Sequence, residues 1–377
     1  MIDDEAQSEE VDRSTDTLEL FFDLVFVFAM SQVTELVLGE LSWTGFLRGV
    51  MALTAVWWAW VCFAWLTDTT ADSGVRVRML TLVAMSAMLV AAIALPRAIG
   101  QDALVFGCAY LCVRLVHLVL FLDETKQDPD RHTAAVRLVP TLLGGPGLVL
   151  ASAFVDSPYR ETGWFLAALI DLGGPMVVGV GGLRVLPAYF VDRHGSIIII
   201  ALGETITQVG LGASQHLSDP VVLTAVLCAV LISGQLWWSY FGLTDAAQAR
   251  LVSTESRERT KLARDAYSYL HLLIVAGIVY FALGAHLAIA EAGDPLDPVP
   301  AVALTCGAAL AYAGDVAYRW RDHHRLAHDR LAAAIASMLL VAPALTMPAL
   351  ATLTSLLGVG GVRIVWEAWR NPLAGVV

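Results

Sequence analysis

Long apolar segments recur along the whole of this chain, and they limit what it can fold into more than any other feature. Each runs for about 18–24 residues, and a helix needs roughly 20 apolar residues to cross a bilayer. We place twelve such segments, with ten as the alternative count, because two prolines and the Gly358–Gly361 stretch blur the last two. The segments are residues 17–38, 44–66, 77–96, 103–122, 136–155, 161–182, 189–212, 220–242, 266–289, 298–318, 330–347 and 349–366.

Composition supports the same conclusion. Hydrophobic residues make up 57% of the 377, charged residues only 15%, and the mean hydropathy is +0.67. A soluble domain is about 45–50% apolar and about 25% charged. The sequence therefore predicts an all-α, polytopic transmembrane helix bundle whose main partner is the lipid bilayer. Nothing in it is basic enough for nucleic acid, so we expect no nucleic-acid partner.

The charges are unevenly placed, and they predict an orientation. Much of the net charge of -12 lies in residues 1–16, which we expect to be a disordered acidic tail, as 371–377 form a short C-terminal tail. With the amino terminus taken as cytoplasmic, most Lys and Arg residues fall on that side. They lie at Arg76 and Arg78, Lys126 and Arg131, Arg184 and Arg193, Arg250 to Arg264, and Arg319 to Arg330. Both termini are therefore predicted to be cytoplasmic, in a multi-pass protein of the inner membrane.

The two halves of the chain share a pattern. VWWAWVCFAWLTD (56–68) follows the first span and LWWSYFGLTD (236–245) follows the seventh, and both carry a Trp pair before LTD. The matched order favours a parallel internal repeat, with six helices in 17–182 and six in 183–370. The alternative is that Trp-rich helix ends recur through interfacial preference alone.

Three motifs resemble one known family. ELFFDLVFVFA (19–29) resembles the opening motif of the bacterial low temperature requirement protein A family. YFVDRHGSIIIIALGETI (189–206) is similar to its second acidic motif, and RDAYSYLHLLIVAGIVYFALG (264–284) to its Tyr/His motif. In VDRHG, Asp192 and His194 stand where the family more often has Glu and an aromatic residue. The resemblance implies a polytopic inner-membrane protein and no defined activity.

Two carboxylates lie on one face of the first span. Glu19 and Asp23 are four residues apart, so they share a side of the helix. Two carboxylates this close should not both ionise without a cation. They could hold a proton, coordinate a cation or pair with an arginine. The structural alternative is a salt bridge to Arg114 or Arg193 that ties two helices together.

Two further carboxylates lie deep in predicted spans. Glu204 has Thr207 and Gln208 on its own face, and no basic residue of its own helix reaches it. It is therefore either protonated by desolvation or paired across helices. Asp171 is followed by Gly173, Gly174 and Pro175, which predict a broken helix of the kind that forms transporter sites. LGGPG (143–147) has the same combination of glycine and proline and predicts a second broken helix. The alternative in both places is a kink that serves only helix packing.

Histidines and tryptophans complete the candidate set. His271 could relay protons or be a satisfied buried histidine, and His117 shares a face with Arg114. The Trp pairs could line an aromatic cavity or belong to the core. The candidate substrate- or proton-binding residues are Glu19, Asp23, Asp171, Asp192, His194, Glu204, His271, His117, Trp57, Trp58, Trp237 and Trp238. The five cysteines show no metal spacing, and we expect neither a metal nor a cofactor.

Two functions fit these residues. The first is a proton- or cation-coupled secondary transporter of a small solute or ion, with Asp23, Asp171 and Glu204 as the coupling sites. The alternative is an intramembrane enzyme that acts on a lipophilic substrate, an isoprenoid or lipid, with acid–base chemistry from Glu19, Asp23 or Glu204. Its tryptophans would line the substrate pocket.

The orientation can be tested with reporter fusions. Because Lys and Arg concentrate on one side, fusions after Thr125 and Ser253 should both report a cytoplasmic location, and one near Asp294 a periplasmic location. Paired alkaline phosphatase and green fluorescent protein fusions measure this. Any other pattern would require a different assignment of the spans.

Overall fold

The computed structural model describes residues 17–67, 74–214, 216–242, 244–324 and 326–370. The regular elements in these ranges are helices, which confirms the predicted all-α class. Those up to the middle of the chain are α1 (Thr17–Leu38), α2 (Trp43–Thr67), α3 (Val75–Ala94), α4 (Ala103–Thr125), α5 (Pro129–Ser152), α6 (Tyr159–Val177) and α7 (Pro187–Ala213). Those that follow are α8 (Pro220–Phe241), α9 (Thr244–Ser253), α10 (Ser256–Leu262), α11 (His271–Ala290), α12 (Pro298–His323), α13 (His328–Leu339), α14 (Val341–Ala344) and α15 (Ala349–Arg370). A π-helical segment, Ala263–Leu270, joins α10 to α11.

Ten helices of the described ranges are long and apolar enough to cross a membrane, which agrees with the lower of the two predicted counts. They are α1 to α5, α7, α8, the continuous stretch Ser256–Ala290, α12 and α15. The predicted sixth and eleventh spans are helical but do not reach that standard. The sixth is α6, which is 19 residues long and carries Asp171 within it. The eleventh is divided between α13 and the one-turn α14.

Contacts divide the chain into two compact units. Unit 1 comprises Met1–His194 and Ala247–Arg264, and unit 2 comprises Gly195–Ala246 and Asp265–Val377. The boundary therefore falls within α7. The six-plus-six repeat with its halves 17–182 and 183–370 stays a prediction.

Unit 1 is held together by α2 and by close packing at glycines. α2 contacts α1, α4 and α6, and α5 packs along both α4 and α6. An added Cβ at Gly145 would lie 2.6 Å from Asp171 Oδ1, and one at Gly174 would lie 2.6 Å from Thr141. Both glycines are therefore needed for α5 and α6 to approach each other.

The predicted helix breaks are wrong. α5 continues through Pro140 and Pro146, and α6 continues through Gly173, Gly174 and Pro175. Neighbouring helices and irregular local bonding let membrane helices accommodate proline without stopping. The glycines of these stretches serve helix packing, as small residues commonly do in membrane proteins.

Unit 2 is built on the pair α11 and α12. These helices touch through their backbones, since an added Cβ would lie 2.2 Å from Leu304 N at Gly284 and 2.4 Å from Phe281 N at Gly307. α8 packs on α15, and α13 packs on α12 and α15. At Gly203 of α7, in contrast, an added Cβ would meet no described atom within 4 Å, so no helix of the described ranges approaches closely at that point.

The glycine contact between α11 and α12 yields a stability prediction. Gly284→Ala adds one methyl group against a backbone nitrogen that cannot move freely, so we expect the free energy of unfolding to fall by about 1–3 kcal/mol. Thermal or denaturant unfolding of purified protein in detergent measures it. Gly210→Ala is the matched control, because an added Cβ meets nothing within 4 Å there. Equal stability of the two variants would contradict the packing argument.

Candidate functional site

Asp23 of the first motif lies in a buried ion pair. Its side chain is 3% exposed, and Arg193 Nη1 of α7 donates to Asp23 Oδ2 at 2.5 Å. Trp60 Nε1 of α2 donates to the other carboxylate oxygen at 3.1 Å. Arg193 Nη1 also lies 3.4 Å from the carbonyl oxygen of Glu19. The alternative that paired Asp23 with Arg193 is thus the arrangement observed, and the pair joins α1 to α7.

An aromatic wall, formed by Trp57, Trp60 and His194, lies beside this ion pair. The guanidinium of Arg193 lies over the Trp60 ring at 5.8 Å, which is a cation–π contact. His194 presents its ring to Trp60 edge-on at 5.0 Å, and its Nδ1 lies 2.8 Å from Phe190 O. A carbonyl only accepts, so Nδ1 carries the hydrogen. Trp57 stacks on Trp60 at 5.2 Å, which places one of the predicted tryptophans in the same wall.

Arg193 has N–H donors that its contact with Asp23 does not use. Nε and Nη2 are buried and meet no hydrogen-bond acceptor among the residues that the structure describes. These two N–H groups lie on one edge of the planar guanidinium, and such an edge matches a carboxylate or phosphate group through two parallel hydrogen bonds. Asp23 therefore uses only part of the binding capacity of Arg193.

Asp171 forms a second buried ion pair in unit 1. Arg114 Nη2 of α4 donates to Asp171 Oδ1 at 2.9 Å, and both side chains are almost fully buried. Arg114 Nη1 lies 2.8 Å from Cys62 Sγ and 3.3 Å from the Trp58 carbonyl, both of α2. Tyr110 OH lies 3.4 Å from Asp171 Oδ2. α2 thus contacts both ion pairs.

His117 extends the second pair along α4. Its ring is buried one turn beyond Arg114, and it contacts Phe63 of α2 and Phe121 at 5.5 Å each. The predicted shared face of Arg114 and His117 is therefore observed.

Glu204 lies in unit 2 and is fully buried. Gln208 Nε2, one turn later on α7, donates to Glu204 Oε1 at 2.7 Å. The buried Thr205 is next to it. Gln208 therefore shares the buried face of Glu204, as predicted, whereas Thr207, which the sequence placed on the same face, is exposed.

His271 belongs to a cluster of aromatic hydroxyl groups. Its Nδ1 lies 2.8 Å from Ala266 O of the π-helical segment and its Nε2 lies 2.8 Å from Tyr240 OH. Since Nδ1 must donate to the carbonyl, Nε2 of the neutral ring accepts from Tyr240. Tyr318 OH donates to Tyr267 OH at 2.9 Å, and both rings contact His271 at 4.9 Å. π-helical segments frequently occur at functional sites.

The largest charged network was not predicted in full. Asp315 and Arg319 are four residues apart, a spacing typical of an ion pair within one helix, and Arg319 Nε does donate to Asp315 Oδ1 at 2.7 Å. Ser239 Oγ and Arg330 Nε also donate to Asp315 Oδ2, at 2.7 and 2.8 Å. Arg330 Nη2 then reaches Glu367 of α15 at 2.8 Å. The only sequence signal for this extension was the spacing of Arg363 and Glu367, four residues apart in α15.

Three predicted residues lie away from these sites. Trp237 and Trp238 are 44% and 51% exposed, so they do not line an internal aromatic cavity, whereas Trp57 and Trp58 are buried. Helix periodicity explains the difference, because the outward face of α8 carries both rings. Asp192 is exposed on α7, while its neighbour Arg193 is buried. In the described ranges no group of three His, Cys, Asp or Glu side chains could hold a metal ion.

Comparisons with known proteins agree with the motifs. A family model described as bacterial low temperature requirement A protein (LtrA) matches residues 14–365, nearly the whole chain. A protein of Rhizobium meliloti (strain 1021) that is described as uncharacterized is 28% identical in an alignment of 283 residues that covers 72% of this chain and 69% of the relative. No solved structure matches. With its long apolar helices and this match, the chain is a multi-pass membrane protein that belongs to the bacterial low temperature requirement A family.

Proposed function

We propose that the protein is a proton- or cation-coupled secondary transporter of the inner membrane, and that Asp23 and Arg193 form its coupling pair. The observation that carries this proposal is their buried contact at 2.5 Å, with Trp60 as the second donor. A buried charge within a membrane protein is costly and is retained for a function or for a tie between helices. Arg193 also has two buried donors to offer a ligand.

In the proposed cycle, Arg193 binds two anions in turn, first the carboxylate of Asp23 and then an acidic group of the solute. A proton or cation that binds Asp23 weakens its attraction for Arg193, and the guanidinium can then hold an acidic group of the solute through Nε and Nη2. Departure of the solute restores the contact of Arg193 with Asp23. The proposed solute therefore carries a carboxylate or phosphate group, because these groups match the guanidinium edge.

The other buried polar groups supply further sites for the coupling ion in this proposal. Asp171 with Arg114 repeats the pairing on the far side of α2. Glu204 with Gln208, and His271 with Tyr240, provide groups in unit 2 that can hold a proton. Asp192, which is exposed, has the weakest support among the predicted residues.

The intramembrane enzyme has less support. This alternative expects tryptophans to line the substrate pocket, and two of the candidates, Trp237 and Trp238, lie on the surface. Trp57 and Trp58 are buried among their neighbours in unit 1. The transporter is therefore the function that we propose.

The transporter proposal predicts a loss of coupled flux in Asp23→Asn. Asparagine keeps the shape of the side chain and an acceptor for Arg193, but it cannot exchange a proton. Protein reconstituted in liposomes that contain a pH-sensitive dye is exposed to gradients of Na⁺, K⁺, succinate, glutamate or phosphate. Wild-type protein should move protons or be driven by a cation under at least one gradient, and Asp23→Asn should fall to the level of empty liposomes.

The control is an ion pair of unit 1 outside the site. Arg97 and Asp102 are paired at 2.6 Å, and both are partly exposed, so Asp102→Asn should retain the wild-type flux. Wild-type flux in Asp23→Asn would overturn the assignment of Asp23. Absence of ion movement by folded wild-type protein under every gradient would overturn the transporter proposal.

Two variants of the ion pair of Arg114 and Asp171 distinguish a purely structural salt bridge from a transport site. Arg114→Gln leaves the Asp171 carboxylate buried without its cation, so we expect it to cost about 3–5 kcal/mol of unfolding free energy. Arg114→Gln combined with Asp171→Asn removes both charges and should recover much of that loss. Denaturant unfolding in detergent measures stability, and the liposome assay measures flux. A double variant that is stable but inactive supports a transport role, whereas a stable and active one assigns the pair to structure alone.

A further inference from the structure

A groove lies between α13 and α15 of unit 2. Its volume is about 690 Å³, which is within the range of small-molecule sites. Its walls combine a charged part with an apolar part. The lining residues of the charged part are His328, Asp329, Arg363 and Arg370. The rest of the wall is small or apolar and includes Gly358, Val359, Val362 and Trp366.

Arg363 is the central cation of this groove. Its side chain is 1% exposed, and Nη1 donates to Glu367 Oε2 at 2.9 Å. Nε and Nη2 are buried and find no acceptor in the described part of the chain. The guanidinium also lies over the Tyr312 ring at 5.9 Å, which is a cation–π contact. A buried, oriented guanidinium edge with two unused donors fits a phosphate group.

Arg370 adds a second positive charge on the same side of α15. It lies two helical turns after Arg363, and its guanidinium is over the Trp366 ring at 5.4 Å. Asp329 is the acidic group in the groove wall, and Arg330 Nη1 donates to its carboxylate at 2.8 Å. Charged residues of the wall therefore sum to one net positive charge, from two arginines and one aspartate.

The apolar surroundings of the groove belong to the membrane-facing surface. Side chains of α13 and α15 next to it are exposed although they are apolar, and they are Ile335, Met338, Leu339, Val362, Val365, Trp366 and Trp369. Trp side chains favour the membrane–water interface, which places the charged end of the groove at headgroup level. Arg319 and Arg321 lie near the end of α12 and Arg330 lies near the start of α13, and cytoplasmic leaflets are rich in anionic lipids.

We infer that this groove binds the phosphate headgroup of an anionic phospholipid, whose acyl chains lie along the apolar faces of α13 and α15. Arg363 holds the phosphate through Nε and Nη2, and Arg370 favours a headgroup of net negative charge. This site is independent of the transport pair in unit 1, so it stands whether or not the protein transports a solute.

The test uses purified full-length protein in detergent, titrated with phosphatidylglycerol, with phosphatidylcholine of the same acyl chains, and with inorganic phosphate. Native mass spectrometry counts bound lipid, and thermal unfolding reports stabilisation. Phosphatidylglycerol should bind saturably and raise the melting temperature more than phosphatidylcholine does. Inorganic phosphate should do neither, since it lacks the chains that the apolar faces contact.

Two variants locate the site. Gly358→Phe places a ring in the groove that Gly358 lines, and the added Cβ itself meets nothing within 4 Å. Arg370→Gln removes an exposed charge. Each should weaken phosphatidylglycerol binding by about tenfold or more, Gly358→Phe because it fills the groove and Arg370→Gln because it removes a positive charge that attracts the headgroup. The matched controls are Gly234→Phe, where an added Cβ also meets nothing within 4 Å, and Arg257→Gln, an exposed arginine of α10.

The outcomes separate the sources of the phosphate. Equal binding of both lipids would overturn the charge argument, and saturable stabilisation by inorganic phosphate alone would identify a soluble anion as the ligand instead of a lipid. Wild-type lipid binding by Gly358→Phe, when that variant unfolds at the same temperature as Gly234→Phe without lipid, would show that the groove is not the site.

Discussion

Pairing of buried charges is the constraint on which the rest of this structure depends. A lone charge at the centre of a bilayer costs at least about 2.5–3.5 kcal/mol. Each buried arginine in the described part of the chain accordingly has a carboxylate beside it. In unit 1, Arg193 meets Asp23 and Arg114 meets Asp171. α2 donates to one pair through Trp60 and accepts from the other through Cys62. The apolar helices could pack in several ways, but few arrangements bring both cations to their partners.

Because of this constraint, a carboxylate that joins two helices through an ion pair can also be a functional carboxylate. In the function that we propose, the same contact that allows Asp23 to enter the membrane is also the one that a proton, a cation or an acidic solute changes. Trp60 and Arg193 together fix the orientation of the Asp23 carboxylate, because Trp60 donates to Oδ1 and Arg193 donates to Oδ2. An ion pair that joins two helices can therefore also be the contact that breaks and re-forms in the proposed transport cycle.

The sequence was informative where one helix determines the answer. Apolar length predicted the spans, and periodicity placed Glu19 and Asp23 on one buried face. It also named Arg193 and Arg114 as possible partners, but it could not choose between them, since periodicity fixes a face and not the helix that it meets. The same reason explains why Trp237 and Trp238 were misplaced and why the contacts of Asp315 with Arg330 were missed. The proline-containing stretches of α5 and α6 were misread because packing against neighbours compensates for a lost backbone hydrogen bond.

The backbone contact between α11 and α12 has a consequence for how this protein can move. Gly277, Gly284 and Gly307 place each helix so near the other that sliding or rolling would drive side chains into the opposite main chain. The two helices must therefore travel as one rigid body in any conformational cycle. Spectroscopic labels placed on α11 and on α12 would keep a constant separation throughout, which makes this pair a fixed reference frame against which the displacement of other helices can be measured.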